Sequence, residues 1–202
     1  MDLSSPQSNF SDRDVVNGLA DADDAWKARY ADKIKNAQQA VLVIKPGQRV
    51  FVGTACATPR ALVAALEDLP NPPPDVELVH FITTNAIPHD EGGNARTRYR
   101  HRTFFVSSDI RAAVMQGAAD YVPIQISLVP ELMARGSLPI NVAMIQVSPP
   151  DAFGYVSLSV SVDISDPPVR KIDAARRLKA GRHRNPLAVT RCSFAGSRAV
   201  VW

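Results

Sequence analysis

The spacing of apolar and polar positions changes several times along this chain, and each change marks an element. From Asp21 to about Ile44 the residues Trp26, Tyr30, Ile34, Ala37, Val41 and Ile44 recur every three or four positions. This predicts one or two helices, with Asp21, Asp23 and Asp24 available to cap or charge the first turn. Lys45-Pro46-Gly47 ends that rhythm, because proline disfavours helical geometry at the residue before it and glycine permits a tight turn. Arg49 to Val52 then reads as a short strand. Gly53-Thr54-Ala55-Cys56-Ala57 follows as a loop of small residues. Thr58-Pro59 opens a helix to about Asp68, with the hydroxyl as cap and proline at the first helical position. Beyond the stiff connector Pro70 to Pro74, Val76 to Ile82 is a strand of the kind buried in a parallel sheet. Residues 49–82 therefore form a strand, crossover helix, strand unit, for which a right-handed connection is expected.

Residues 83–102 have no clear apolar period and end in Arg96, Arg98, Arg100 and Arg102, with His101 among them. Thr103 to Val106 is the next predicted strand. Ser108 or Asp109 caps a helix through about Gln116, and Gly117 ends it. Ala119 to Pro123 predicts a strand, Leu128 to Ala134 a helix ended by Gly136, and Val142 to Val147 a strongly apolar strand. A Pro-Pro-Asp-x-x-Gly turn and another strand pattern carry the chain to Ile164. The fold class expected is α/β: an open, largely parallel sheet flanked by helices, with an N-terminal helical segment.

Charge divides the chain where the pattern fades. Residues 1–165 hold 14 Lys/Arg and 18 Asp/Glu, a net of −4, whereas residues 166–202 hold 9 and 2, a net of +7. The expected organisation is a loose polar leader over 1–20, an α/β domain over 21–164 and a basic tail over 165–202. The tail begins with Pro167-Pro168, and three readings of it stay open: a disordered extension, an anion- or nucleic-acid-binding arm, and a change of reading frame. The acidic body and the lack of a recognisable binding module disfavour nucleic acid as a partner. No twenty-residue apolar run and no signal-peptide pattern is present, so the expectation is a cytoplasmic protein without a membrane span. Cys56 and Cys192 lie far apart, and His80, His89, His101 and His183 are scattered, so neither a disulfide framework nor a metal site is indicated.

Three segments carry a family likeness: VGTACATPRALVAAL (52–66), RYRHRTFFVSSDIRAAVMQGAADYVPIQISLVPEL (98–132) and LPINVAMIQVSPPDAFGYVSLSVSVDI (138–164). In order and spacing they resemble the N-terminal half of the acetyl-CoA hydrolase/transferase family, class I coenzyme A transferases, over roughly residues 26–164. The ADYVPI and IQVSPPDxxGYVSL stretches are the most specific. The resemblance implies a two-domain enzyme with its active site at the domain junction, where a glutamate of the second half attacks an acyl-CoA thioester. It implies coenzyme A or acyl-CoA as substrate rather than a permanent cofactor. A small carboxylic acid and a second CoA-transferase domain, missing or separately encoded, are the implied partners, and a homo-oligomer is compatible. No catalytic residue is expected within these 202 residues. Three departures stand out. The family pattern places glycine at or near Ala55, an acidic residue near Leu128, and a continuing helix beyond Ile164.

The candidate pocket is Gly53, Thr54, Ala55, Cys56, Ala57 and Thr58, at the end of a strand and the start of a helix, where free N–H groups attract an anion. The alternative is an ordinary small-residue turn. Cys56 there reads as a buried small residue more readily than as a nucleophile, because no His partner is signalled. Arg98 and Arg100 suit phosphate or carboxylate, but their alternation with Thr97, Tyr99 and His101 favours the solvated edge of a strand. Asp151 and Gly154 have a turn-building explanation, with a substrate-facing role as the alternative.

Overall fold

The computed structural model describes residues 25–31, 34–88, 92–93, 95–147, 155–158, 163–165 and 191–193. By compactness the chain divides into Met1–Ile34 and Lys35–Trp202. In the first unit, helix α1 spans Ala25–Arg29. The second opens with helix α2, Ala37–Val41, started by a reciprocal capping box between Asn36 and Gln39. The predicted rhythm thus yields two short helices, and Asp21, Asp23 and Asp24 lie outside the described residues.

Strands β1 (Arg49–Val52), β2 (Glu77–His80), β3 (Arg100–Thr103), β4 (Ala119–Tyr121) and β5 (Val142–Met144) form one sheet in the order β4-β3-β2-β1-β5. Every neighbouring pair is parallel, as the alternation of strands and helices predicts. Helices α3 (Arg60–Glu67), α4 (Ser108–Met115) and α5 (Val129–Arg135) lie between strands. A separate antiparallel pair joins β6, Tyr155–Ser157, to β7, Arg191–Ser193. Three residues of the basic segment are therefore in a strand.

The alternation within strands sorts the core. Val50, Val52, Leu78, Val142 and Met144 share one face and pack with Val41 and Ile44 near α2 and with Leu62, Val63 and Leu66 of α3. Phe51 and Val79, on the other face, are fully buried as well, the pattern of a sheet whose centre has no wet side. Farther along the sheet, Ile110 and Ala113 of α4 pack with Ala119 and Ile87.

Two boundaries differ from expectation for definable reasons. The third strand begins at Arg100, three residues before the predicted Thr103, because its buried positions are His101 and Thr103 rather than aliphatic residues. Nor is this arginine-bearing segment an edge: β3 sits between β2 and β4. Helix α3 starts at Arg60 with Pro59 before it and no side-chain cap. The Thr58 hydroxyl, predicted to cap it, instead donates to Ala55 O at 2.8 Å. Helix ends fall as predicted at Gly117 and Gly136, whose φ values of 74° and 83° allow the left-handed exit.

Candidate functional site

In a parallel sheet all strand ends face one way, so loops 53–58 and 81–88 share the carboxyl edge. Gly53 donates to Met144 O at 2.8 Å, bringing the loop against β5. A Cβ at Gly53 would lie 2.7 Å from Ala57 O, so the turn closes only around glycine. A short 3-10 turn, Ala55–Ala57, follows. Ala55 has φ +48°, the left-handed geometry that glycine adopts freely and alanine does not. Its N–H donates to Ile82 O at 2.7 Å. The position where the family likeness expects glycine is thus the position where the backbone calls for it.

A second set of bonds ties the neighbouring loop to the first. Thr58 Oγ1 accepts the Thr84 N–H at 3.3 Å. The Asp109 carboxylate accepts the N–H groups of Asn85 and Ala86, both at 3.0 Å. Asp109 was expected as a helix cap; it lies in the first turn of α4 and staples loop 83–86 instead. Gly53, Thr54, Ala57 and Thr58 are buried, Ala55 is half-buried, and Cys56 is exposed. The exposure of Cys56 corrects the expectation of a buried thiol: three residues per turn leave the middle of the turn on its outer side.

The arginines lie at the opposite edge. Arg98 donates to Glu67 O at 3.0 Å and Leu69 O at 2.6 Å, satisfying the last carbonyls of α3, where a cation also meets the negative helix end. Tyr99 OH donates to Leu66 O at 2.8 Å, and burial, reinforced by nearby Glu67, pushes the phenol up to about 12. Arg100 is exposed at the first position of β3. Glu77, with a side chain only 3% exposed, is paired by Arg49 and, at 2.8 Å, by Arg102. The structure therefore does not bring Arg98 and Arg100 to the loop 53–58. Asp151 and Gly154 lie outside the described residues.

Between the two edges runs a buried polar line that the sequence reading did not single out. His80 Nδ1 is 3.0 Å from Thr83 Oγ1, His80 Nε2 is 3.3 Å from His101 Nδ1, and His101 Nε2 is 2.6 Å from Thr97 Oγ1. The rings meet edge to face at 5.4 Å. Burial pushes His101 down to about 4 and His80 well below its usual value, His80 also feeling His101. The alternation in RYRHRT and the histidine closing ELVH were the available signals. Among the described residues no cluster of three His, Cys, Asp or Glu could hold a metal ion, and no helix is long and apolar enough to cross a membrane.

Known proteins share this arrangement of segments. The crystal structure of RipA from Yersinia pestis superposes with a TM-score of 0.57 at 28% identity, over 72% of this chain and 36% of that one. A RipA mutant gives 0.62 at 29%, over 72% and 35%. The 4-hydroxybutyrate coenzyme A transferase of Clostridium kluyveri is 37% identical over 142 residues, 70% of this chain and 33% of that protein. A succinyl-CoA:acetate/propanoyl-CoA:succinate CoA transferase of Fasciola hepatica is 29% identical over 152 residues, 74% of this chain and 31% of the relative. The chain spans about one third of the length of the curated relatives it matches. The family described as acetyl-CoA hydrolase/transferase N-terminal domain matches residues 17–173, so the chain belongs to the acetyl-CoA hydrolase/transferase family.

Proposed function

We propose that this chain serves as the N-terminal domain of an acyl-CoA transferase or hydrolase, its carboxyl-edge loops forming one wall of the pocket for a CoA thioester and a small carboxylic acid. The observation that carries this reading is the interlocked pair of loops, 53–58 and 82–86, whose backbone is held at strained geometry by Ala55 N–H to Ile82 O and Thr84 N–H to Thr58 Oγ1. Strain maintained by neighbouring bonds at a strand end is a feature of ligand-contacting loops. The nucleophile in this reading is a glutamate of a second CoA-transferase domain. It forms an acyl anhydride with release of CoA thiolate, which then attacks the glutamyl carbonyl, expelling the original acid as its carboxylate and giving a glutamyl-CoA thioester; a second acid takes up the CoA by the reverse steps, or water hydrolyses the thioester. Loops of the present domain hold the thioester and exclude solvent while that exchange takes place.

Apolar side chains at the same edge support a partner domain. Phe105 follows β3, Tyr121 ends β4, and Ile126 and Leu128 lie in the next turn, all exposed. Clustered exposed apolar groups mark surfaces that meet another protein. The test is turnover with acetyl-CoA plus succinate or acetate. The chain alone is expected to give little or none, and a separately expressed second CoA-transferase domain is expected to restore it. Robust turnover by the chain alone that Cys56→Ser abolishes would replace this reading with a cysteine nucleophile.

A further inference from the structure

The buried line between the two histidines has a carboxyl group at each end. Thr97 Oγ1 is 3.2 Å from Glu67 Oε1, and Thr83 Oγ1 is 3.4 Å from Asp109 Oδ2. Glu67, Thr97, His101, His80, Thr83 and Asp109 are thus joined by five successive hydrogen-bond contacts. Glu67 closes α3 at the amino edge of the sheet, and Asp109 holds Asn85 and Ala86 at the carboxyl edge.

With the Thr97 hydroxyl directed along the line rather than to Tyr99 O, which is also 3.2 Å away, hydrogen supply allows two orderly states. Between two neutral imidazoles there is one hydrogen for the contact between His101 Nδ1 and His80 Nε2, so each ring's tautomer fixes the other's. In one state every donor points toward Glu67: Thr83 to His80 Nδ1, His80 Nε2 to His101 Nδ1, His101 Nε2 to Thr97, and Thr97 to an ionised Glu67. In the other every donor points toward Asp109: protonated Glu67 to Thr97, Thr97 to His101 Nε2, His101 Nδ1 to His80 Nε2, His80 Nδ1 to Thr83, and Thr83 to Asp109. Thr97 Oγ1 also accepts the Tyr99 N–H at 3.2 Å, so its oxygen has two incoming hydrogens and one outgoing in both states. Neither state leaves a ring nitrogen without a partner.

We propose that these six residues form a buried proton relay that links the ionisation of Glu67 to the carboxylate stapling loop 83–86. The step balances. As the first state converts to the second, one proton enters from solvent at Thr83, and hydrogens pass from Thr83 to His80 Nδ1, from His80 Nε2 to His101 Nδ1, from His101 Nε2 to Thr97 and from Thr97 to Glu67; Glu67 ends neutral, neither imidazole holds a charge, and the Thr83 hydroxyl is left donating to the Asp109 carboxylate. The relay concerns this chain alone and does not depend on coenzyme A binding. The charged groups around it are Asp68 and Arg98 beside Glu67, with Tyr99 OH on the same helix end. Glu77, Arg49 and Arg102 occupy the opposite face of the strands. Burial, the largest influence on Glu67, raises its carboxyl above the ordinary glutamate value and brings its titration toward neutral pH.

The experiment is nitrogen NMR on the full chain carrying 15N-histidine, followed across the titration of Glu67. The expected result is that His80 and His101 both exchange from Nε2–H to Nδ1–H as pH falls, with one shared midpoint above the pH at which either ring becomes doubly protonated. Glu67→Gln, which cannot ionise, and Thr97→Val, which cuts the first link, are each expected to abolish the step. Fixed tautomers in the unaltered chain, or separate midpoints for the two rings, would overturn the relay. So would a step that persists in either folded variant. If a variant does not fold, the unaltered chain still decides through the shared midpoint.

Discussion

The two edges of the same five-stranded sheet handle polar groups in opposite ways. At the amino edge, charge is consumed internally: Arg98 closes helix α3, and Arg49 and Arg102 clamp Glu77. At the carboxyl edge, loop N–H groups donate to carbonyls and to the Thr58 and Asp109 side chains, Ala55 and Asn85 are held at positive φ, and Phe105 and Tyr121 are exposed. The arginine-rich edge carries the cations an anion site would use, yet the guanidinium groups of Arg49, Arg98 and Arg102 already have partners. The small-residue edge buries Gly53, Thr54, Ala57 and Thr58 and leaves Cys56 exposed. The lesson is that a run of cations identifies a binding site only after its structural obligations have been subtracted.

The largest effect should come from the amino edge. Glu77→Ala leaves two half-exposed arginines facing a buried gap, and a loss of about 3–4 kcal/mol is expected, read from the urea midpoint. Coenzyme A affinity of the folded fraction is expected to hold, because the substitution is remote from loops 53–58 and 82–86. A large loss of affinity at unchanged stability would erase the distinction between the edges.

Acid comes next. Both buried histidines are neutral in the folded chain, whereas in the unfolded chain they take up protons below about pH 6.5. The unfolded state therefore binds more protons, and stability is retained above that value and lost as pH falls toward the folded value of about 4 for His101. That ring alone accounts for about 3 kcal/mol over the interval. Urea midpoints measured at a series of pH values check this, with His101→Gln expected to flatten the slope.

The carboxyl-edge backbone gives the two smaller effects. Gly53→Ala drives a Cβ into Ala57 O and is expected to cost about 2 kcal/mol and to weaken coenzyme A binding together with stability. Ala55→Gly relieves the positive φ, and the entropy of the unfolded chain offsets part of the gain. The expected net is about 0.5–1 kcal/mol of stabilisation in thermal or urea unfolding.

How far the fold was legible depended on what each element buries. Strands β1, β2 and β5 bury Val50, Phe51, Val52, Leu78, Val79, Val142 and Met144, and hydrophobic runs of that kind announce themselves. Strand β3 buries His101 and Thr103, so its first half read as a solvated arginine run. Thr58 illustrates a second limit: a hydroxyl before proline is a sound cap signal, but here Ala55 O and Thr84 N–H claimed the side chain. The loop 53–58 was placed correctly because strand, small residues and helix follow in order. The staple by Asp109 and the histidine line join residues more than twenty positions apart, and nothing local in the sequence records such pairings.

The most direct test of the contrast between edges is a backbone amide map of the 15N-labelled chain titrated with coenzyme A. The account predicts shift changes concentrated at residues 53–58 and 82–86, with the amides of residues 96–102 unmoved. Changes centred on residues 96–102, or no saturable change anywhere, would contradict it.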